Sequence, residues 1–261
     1  MKKFIPFLAL VALLIVSCDK NDEGNGNVYI VKGGNIEKSE NVTRIMAVIA
    51  GSPVEWAKAE QSTEGGIYTL PGRVQSGIIV ETPFINGSFE LRLPATLPSG
   101  MLVSVADEKK QNVSISNPSA KWTFIDFVAE IPNVNFFSKL SSDDSHLQSD
   151  GIATKSVKYV YVDRPVTLSG VATWTDYVQL PVPILGIITY EVEVRNTYNN
   201  LVLKAGWNKI CREEGDVDIS GEVWKSHNEF SMKDINDCKW NLGFVPQRGE
   251  GSELPDRWRP D

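Results

Sequence analysis

Beyond residue 28 the apolar positions recur with a period of two over short stretches. Phe89, Leu91 and Leu93 alternate with Glu90 and Arg92, and Tyr190, Val192 and Val194 alternate with Glu191 and Glu193. Successive side chains of a strand point to opposite faces, so this pattern predicts antiparallel strands with one wet face. Comparable runs occupy residues 42–49, 101–106, 122–130, 157–162, 166–171, 201–210 and 239–245. Asn86-Gly87, Ser99-Gly100 and Asn199-Asn200 read as the turns between them, because Asn and Gly accept backbone conformations that other residues avoid. No segment sustains a period of 3.6, and helical turns are expected only near residues 135–140 and 232–237. The expected fold is all-β, mostly antiparallel, with the short-strand spacing of a sandwich or barrel.

A shift in composition suggests how the strands are grouped. Asp107-Glu108-Lys109-Lys110-Gln111-Asn112 is a charged run, and Asn117-Pro118-Ser119 follows soon after. The division is therefore expected near residue 112, giving two sandwich-like units, 28–112 and 113–261. Within the second, the stretches 159–170 and 201–210 each read as two strands joined by a tight turn, at Arg164-Pro165 and Ala205-Gly206. Trp207, just after the second turn, is a candidate core residue, since a large aromatic supplies the area that a thin sandwich needs.

The first 27 residues do not share this pattern. Lys2 and Lys3 precede an apolar run from Phe4 to Val16, and Ser17-Cys18 then gives way to Asp19-Lys20-Asn21-Asp22-Glu23. A charged start, about a dozen apolar residues and a small residue at the cut describe a cleaved export signal, whereas a bilayer span needs roughly 20 apolar residues. Residues 1–17 are thus expected to be the signal peptide. Residues 18–27 contain almost only Asp, Asn, Gly, Glu and Lys after the cysteine, which suits a flexible tether. The phrase Leu13-Leu14-Ile15-Val16-Ser17-Cys18 resembles the lipobox of bacterial lipoproteins. That resemblance implies that Cys18 receives the lipid and becomes the mature N-terminus, attaching the protein to a membrane. Asp19, Asp22 and Glu23 are similar to the tags that send Bacteroidota lipoproteins to the outer face of the outer membrane, which implies a surface-exposed protein of the cell envelope.

Charge and chemistry narrow the choices further. The chain has 26 Lys and Arg against 33 Asp and Glu, a net charge of −7, with its basic residues scattered. Nucleic acid is therefore not an expected partner, since binding a polyanion needs clustered cations. Cys211 and Cys238 remain after Cys18. In an oxidising compartment they fit a disulfide, which by the loop-entropy relation would contribute roughly 3–4 kcal/mol, and they equally fit two buried, unpaired thiols. His146 and His227 are the only histidines, and neither has a second ligand at metal spacing. Zinc held by His227, Cys211 and Cys238 lacks any local signature, and a surface histidine is the better reading. Asp143-Asp144 with Asp150-Gly151 lacks the alternating acids of a calcium loop and reads as a solvated loop. Glu213-Glu214 reads as an acidic turn. Nucleophile elbows and phosphate loops are absent, and no metal or cofactor is called for. Seven tryptophans raise the question of a sugar-stacking surface. Trp174 and Tyr177, in the proline-bearing stretch 172–183, are the candidate ligand contacts on what reads as a loop.

Two further resemblances concern the folded part. Gly51-Ser52-Pro53-Val54-Glu55-Trp56-Ala57 with Asn86-Gly87-Ser88-Phe89-Glu90-Leu91-Arg92-Leu93-Pro94 resembles a carboxypeptidase-regulatory or transthyretin-like sandwich, with an insertion over residues 65–83. The phrases over residues 159–170 and 201–210 resemble β-rich domains of Bacteroidota lipoproteins that carry no catalytic assignment. The expected function is an interaction or scaffold module of the cell envelope that binds rather than catalyses. A glycan-binding lipoprotein is the alternative, predicting two coplanar exposed aromatics around Trp174, and an envelope hydrolase is the third reading.

Overall fold

The computed structural model describes residues 28–37, 39–50, 77–107, 110–131, 136–148, 154–182, 186–215 and 223–243. The expected signal and tether, the phrase Gly51 to Ala57, Asp150-Gly151 and the tail after Gly243 lie outside these residues. The described part is all-β. Its strands are β1 (Val28–Gly33), β2 (Arg44–Ile49), β3 (Ile78–Pro83), β4 (Phe89–Pro94), β5 (Val103–Ser104), β6 (Val113–Ile115) and β7 (Lys121–Ile131). There follow β8 (Phe136–Asp143), β9 (Lys155–Val162), β10 (Val166–Val182), β11 (Gly186–Leu203), β12 (Gly206–Glu214), β13 (Val223–Ser231) and β14 (Lys239–Leu242). Two single 3-10 turns, Ser99–Met101 and Ser145–Leu147, are the helical elements among the described residues.

β1 and β4 form a two-stranded sheet, and the other twelve strands form an open one, ordered β3-β2-β7-β8-β9-β12-β13-β11-β10-β6 with β5 and β14 attached to β7 and β8. Pairing is antiparallel except between β11 and β13, which run parallel. β7 branches the large sheet. Its first half pairs with β9, Trp122 opposite Val162, and its second half with β8, Phe127 opposite Leu140.

β7 and β9 are apolar on both faces because each face meets a core. Ile125, Phe127 and Tyr159 join Val31, Leu91 and Leu93 of the small sheet in one cluster. Trp122, Val160 and Val162 join Leu168, Leu201, Ile210 and Phe230 in a second. Strands on both sides of residue 112 share the large sheet, since β2 and β5 pair with β7. Arg44 of β2 reinforces this with a two-pronged pair to Glu130 of β7, at 2.5 and 2.7 Å. Part of the charged run before residue 112 is seen packed against the fold. Lys110 is buried, paired to Asp107 and seated 5.0 Å from the Trp122 ring centre.

Several local expectations hold and several give way. Asn86 and Gly87 both have positive φ, and Ile85 bridges Ser88, so the tight turn forms where expected. Asn199-Asn200 does not reverse the chain. β11 runs through it, with Asn200 at φ 47° opposite a register shift between Leu168 and Gly170, so these residues make a bulge. Gly170, at φ 126°, is where the neighbouring backbone comes closest, a Cβ there lying 2.7 Å from the Asn112 carbonyl oxygen. The helical turn expected near residues 135–140 is strand β8, and residues 232–237 are irregular. The run 101–106 keeps only two strand residues, β5.

A projecting ribbon as the candidate functional site

The stretch expected to be a loop, residues 172–183, is the outer part of β10 as far as Val182. β10 and β11 are 17 and 18 residues long and pair along their whole length, from Val166 opposite Leu203 to Val182 opposite Gly186. Their lateral neighbours are much shorter. β6 covers β10 only at Leu168–Gly170, and β13 covers β11 only from Glu191 to Tyr198. Beyond the pair Tyr177–Glu191 the two strands have only each other as strand partners among the described residues. Five pairs lie beyond the last described neighbour: Val178–Tyr190, Gln179–Thr189, Leu180–Ile188, Pro181–Ile187 and Val182–Gly186.

Its root is held by local devices. The turn from β11 to β12 is plugged by buried Asn208, which accepts a bond from the Lys204 N–H at 2.9 Å and donates to the Lys204 and Gly206 carbonyls at 2.8 and 3.0 Å. β11 and β12 then diverge and β13 fills the gap between them. A polar row ties the three strands together. Arg212 donates to Asn228 Oδ1 at 3.0 and 2.8 Å, and Asn228 donates onward to Asn196 at 2.9 Å. Arg212 also pairs with Glu214 at 2.9 Å. Nearby on β9, burial and then the charge of Lys139 pull the Lys158 ammonium below its ordinary pKa, against the opposing pull of Asp126.

Trp174 and Tyr177 do not form the expected flat pair. Three residues apart on one strand, they belong to opposite faces. Trp174 is half-buried against the second core cluster, whereas Tyr177 is 64% exposed. A close stack is made instead by Tyr190 of β11 and Trp224 of β13, with ring centres 4.3 Å apart and planes at 21°. Sequence reasoning missed them because they belong to different strands, and only the parallel β11–β13 register brings them together.

The remaining candidates are placed by their surroundings. Cys211 is fully buried, Cys238 is half-buried, and both are free thiols in this structure. Burial raises the Cys211 thiol, and burial with the charges of Asp144 and Asp143 pushes Cys238 up to about 12, so both are weak nucleophiles at neutral pH. Asp143 and Asp144 do not lie in a solvated loop. Both are buried, Asp143 accepting from Ser141, Ser145 and Asn241, and Asp144 from Thr154 and the Lys155 N–H. Glu213 and Glu214 lie on strand β12, where Glu213 pairs with Lys233 at 2.8 Å. His146 is exposed, and His227 contacts the Thr197 hydroxyl at 3.2 Å. Among the described residues no three His, Cys, Asp or Glu side chains gather as a metal site. Trp207 is half-buried against the first core, its Nε1 donating to the Pro94 carbonyl at 2.7 Å. No protein family, curated protein or solved structure matches the chain.

Proposed function

We propose that the protein is a lipid-anchored interaction module of the cell envelope, held through Cys18 at the outer membrane and exposed at the cell surface, which engages a hydrophobic envelope component through the β10–β11 ribbon. It works by binding rather than catalysis. The observation that carries this reading is the ribbon itself. Five strand pairs extend beyond any third strand among the described residues, and from Tyr177 to Tyr190 the chain holds no charged residue. A strand segment of that composition is normally buried, and here no described strand covers its edges. The test places a photo-crosslinking residue at position 177 in the lipidated protein within intact envelopes. An adduct that disappears in Leu180→Glu/Ile188→Glu supports the reading, and no ribbon-dependent adduct overturns it.

A second reading, glycan binding, is favoured by the stack of Tyr190 on Trp224. Flat aromatic rings are the surfaces on which saccharide rings pack. A panel of polysaccharides titrated against wild type and Trp224→Ala decides it. Binding lost in the variant supports this reading, and its absence across the panel removes it.

A further inference from the structure

We infer that Lys158 is a covalent capture site for small carbonyl compounds, its amine adding to an aldehyde or ketone while Asp126 carries the proton that lets water leave. This site is separate from the β10–β11 ribbon and gives the protein a second means of binding. The large sheet forks here. β9 pairs with β7 as far as Tyr159 opposite Ile125, and with β8 from Val157 opposite Ser142. β7 and β8 pair with each other from Phe127 opposite Leu140. Each strand therefore has one residue at the fork that none of these three ladders includes: Asp126 on β7, Ser141 on β8 and Lys158 on β9. All three are half-buried. Asp126 and Lys158 each lie two residues from the pair Phe124–Val160, and Ser141 and Lys158 each lie two residues from the pair Asp143–Ser156. Side chains two apart share a face, and neighbours across a rung lie about 5 Å apart. A carboxyl, a hydroxyl and an amine thus meet on one face where three strands join.

The surroundings favour an uncharged amine. Phe124 and Val160 belong to the second core cluster, and Val128, the next residue of β7 on this face, belongs to a third. The charges facing Lys158 come from Lys139 on β8, Asp126 on β7, and Arg212 and Glu214 on β12. Arg212 and Glu214 pair with each other at 2.9 Å, which leaves Lys139 against Asp126, and Lys139 has the larger effect. Among the described residues no hydrogen bond or ion pair holds the Lys158 ammonium. Burial and then Lys139 keep its pKa below the ordinary lysine value, the condition under which a lysine attacks carbonyl carbon near neutral pH. Ser141 donates its hydroxyl proton to Asp143, which fixes its oxygen as an acceptor for the hydroxyl of the first adduct. The step needs no oxidant or reductant. The amine nitrogen bonds to the carbonyl carbon, and both amine protons end on the former carbonyl oxygen, the second by way of Asp126. That oxygen leaves as water as the carbon–nitrogen double bond forms.

The experiment treats the lipidated protein in detergent with propanal at neutral pH, traps the adducts with borohydride and compares the lysines by peptide mass spectrometry. Lys158 gains the propyl group about ten-fold faster than the other described lysines, and Lys158→Arg loses that adduct. The excess fades as the pH is raised towards about 10.4, where every lysine becomes a free amine. Asp126→Asn slows the labelling of Lys158 about five-fold. Loss of a neighbouring negative charge would by itself free more amine and speed the reaction, so the direction of change separates a proton carrier from a bystander. Labelling of Lys158 no faster than that of its fellows overturns the inference, as does an excess that persists undiminished at high pH, which reports exposure alone. Faster labelling in Asp126→Asn overturns it as well. The wild-type pH profile decides the outcome even if a variant fails to fold.

Discussion

β7 and the tip of the β10–β11 ribbon are built from the same kind of sequence and meet opposite surroundings. Both carry apolar residues at consecutive positions, Phe127-Val128-Ala129 in one and Ile187-Ile188 in the other. On β7 every such residue is used. Phe127 and Ala129 face the first core, and Val128 meets Met46 and Val48 on the other side. The ribbon tip has its sister strand and no other strand among the described residues. A strand apolar on both faces is stable where each face is covered, so the same pattern marks the centre of the fold in one place and a contact surface in the other.

The largest expected effect breaks this comparison most directly. Phe127→Ala removes a ring packed edge-on against Tyr159 and Trp240, at 5.4 and 5.2 Å, and is expected to cost about 3–5 kcal/mol in denaturant unfolding. Leu180→Glu, of similar apparent hydrophobicity in sequence, is expected to stay within about 0.5 kcal/mol of wild type. Equal losses at the two sites would mean that the tip is packed within the protein and would remove its role as a contact surface.

Next in size is Asn228→Ala at the ribbon's root, which leaves Arg212 and Asn196 without their shared partner and should cost about 1–3 kcal/mol. An unchanged midpoint would show that the polar row does not anchor the ribbon to the body. Acid sensitivity belongs to the body and not the tip. Burial alone would raise the Asp144 carboxyl, but the Lys155 N–H and the Thr154 hydroxyl and N–H outweigh it and hold its pKa below the ordinary value. A carboxyl depressed in the folded state stabilises the fold above its unfolded pKa and loses that contribution as pH falls through the folded pKa. Asp144→Asn should therefore flatten the loss of stability on acidification, measured by unfolding between neutral and acidic pH, and an unaltered acid limb would exclude this carboxylate as a source. The smallest effect is expected at Ser156, whose buried hydroxyl has no hydrogen-bond partner among the described residues. Ser156→Ala should leave stability unchanged or slightly raised, and a marked loss would reveal a partner for that hydroxyl.

The two regions were also unequally legible. Period-two alternation identified β4 and the inner half of β11, and Asn86-Gly87 marked a turn that forms, because both signals are local. In the ribbon the local signals misled. Pro181 and Pro183 read as loop residues, yet β10 continues to Val182, since proline is tolerated where no neighbouring strand needs its N–H. Asn199-Asn200 read as a turn and became a bulge, because Asn supplies the left-handed conformation that either feature requires. Trp174 and Tyr177 were close in sequence but lie on opposite faces, while Tyr190 and Trp224, 34 positions apart, stack on each other.

By itself the sequence determined the fold class, the charge-free run from Tyr177 to Tyr190 and the expectation of export and lipidation at Cys18. Those are properties of composition, period and short motifs, which each segment carries alone. The tertiary structure decided which strands are neighbours: that β2 crosses residue 112 to pair with β7, that β13 enters parallel beside β11, and that the outer ribbon has no third strand among the described residues. Strand pairing joins residues far apart in the chain, so whether an apolar run lies in the core or at a contact surface is set by its neighbours and cannot be read from the run.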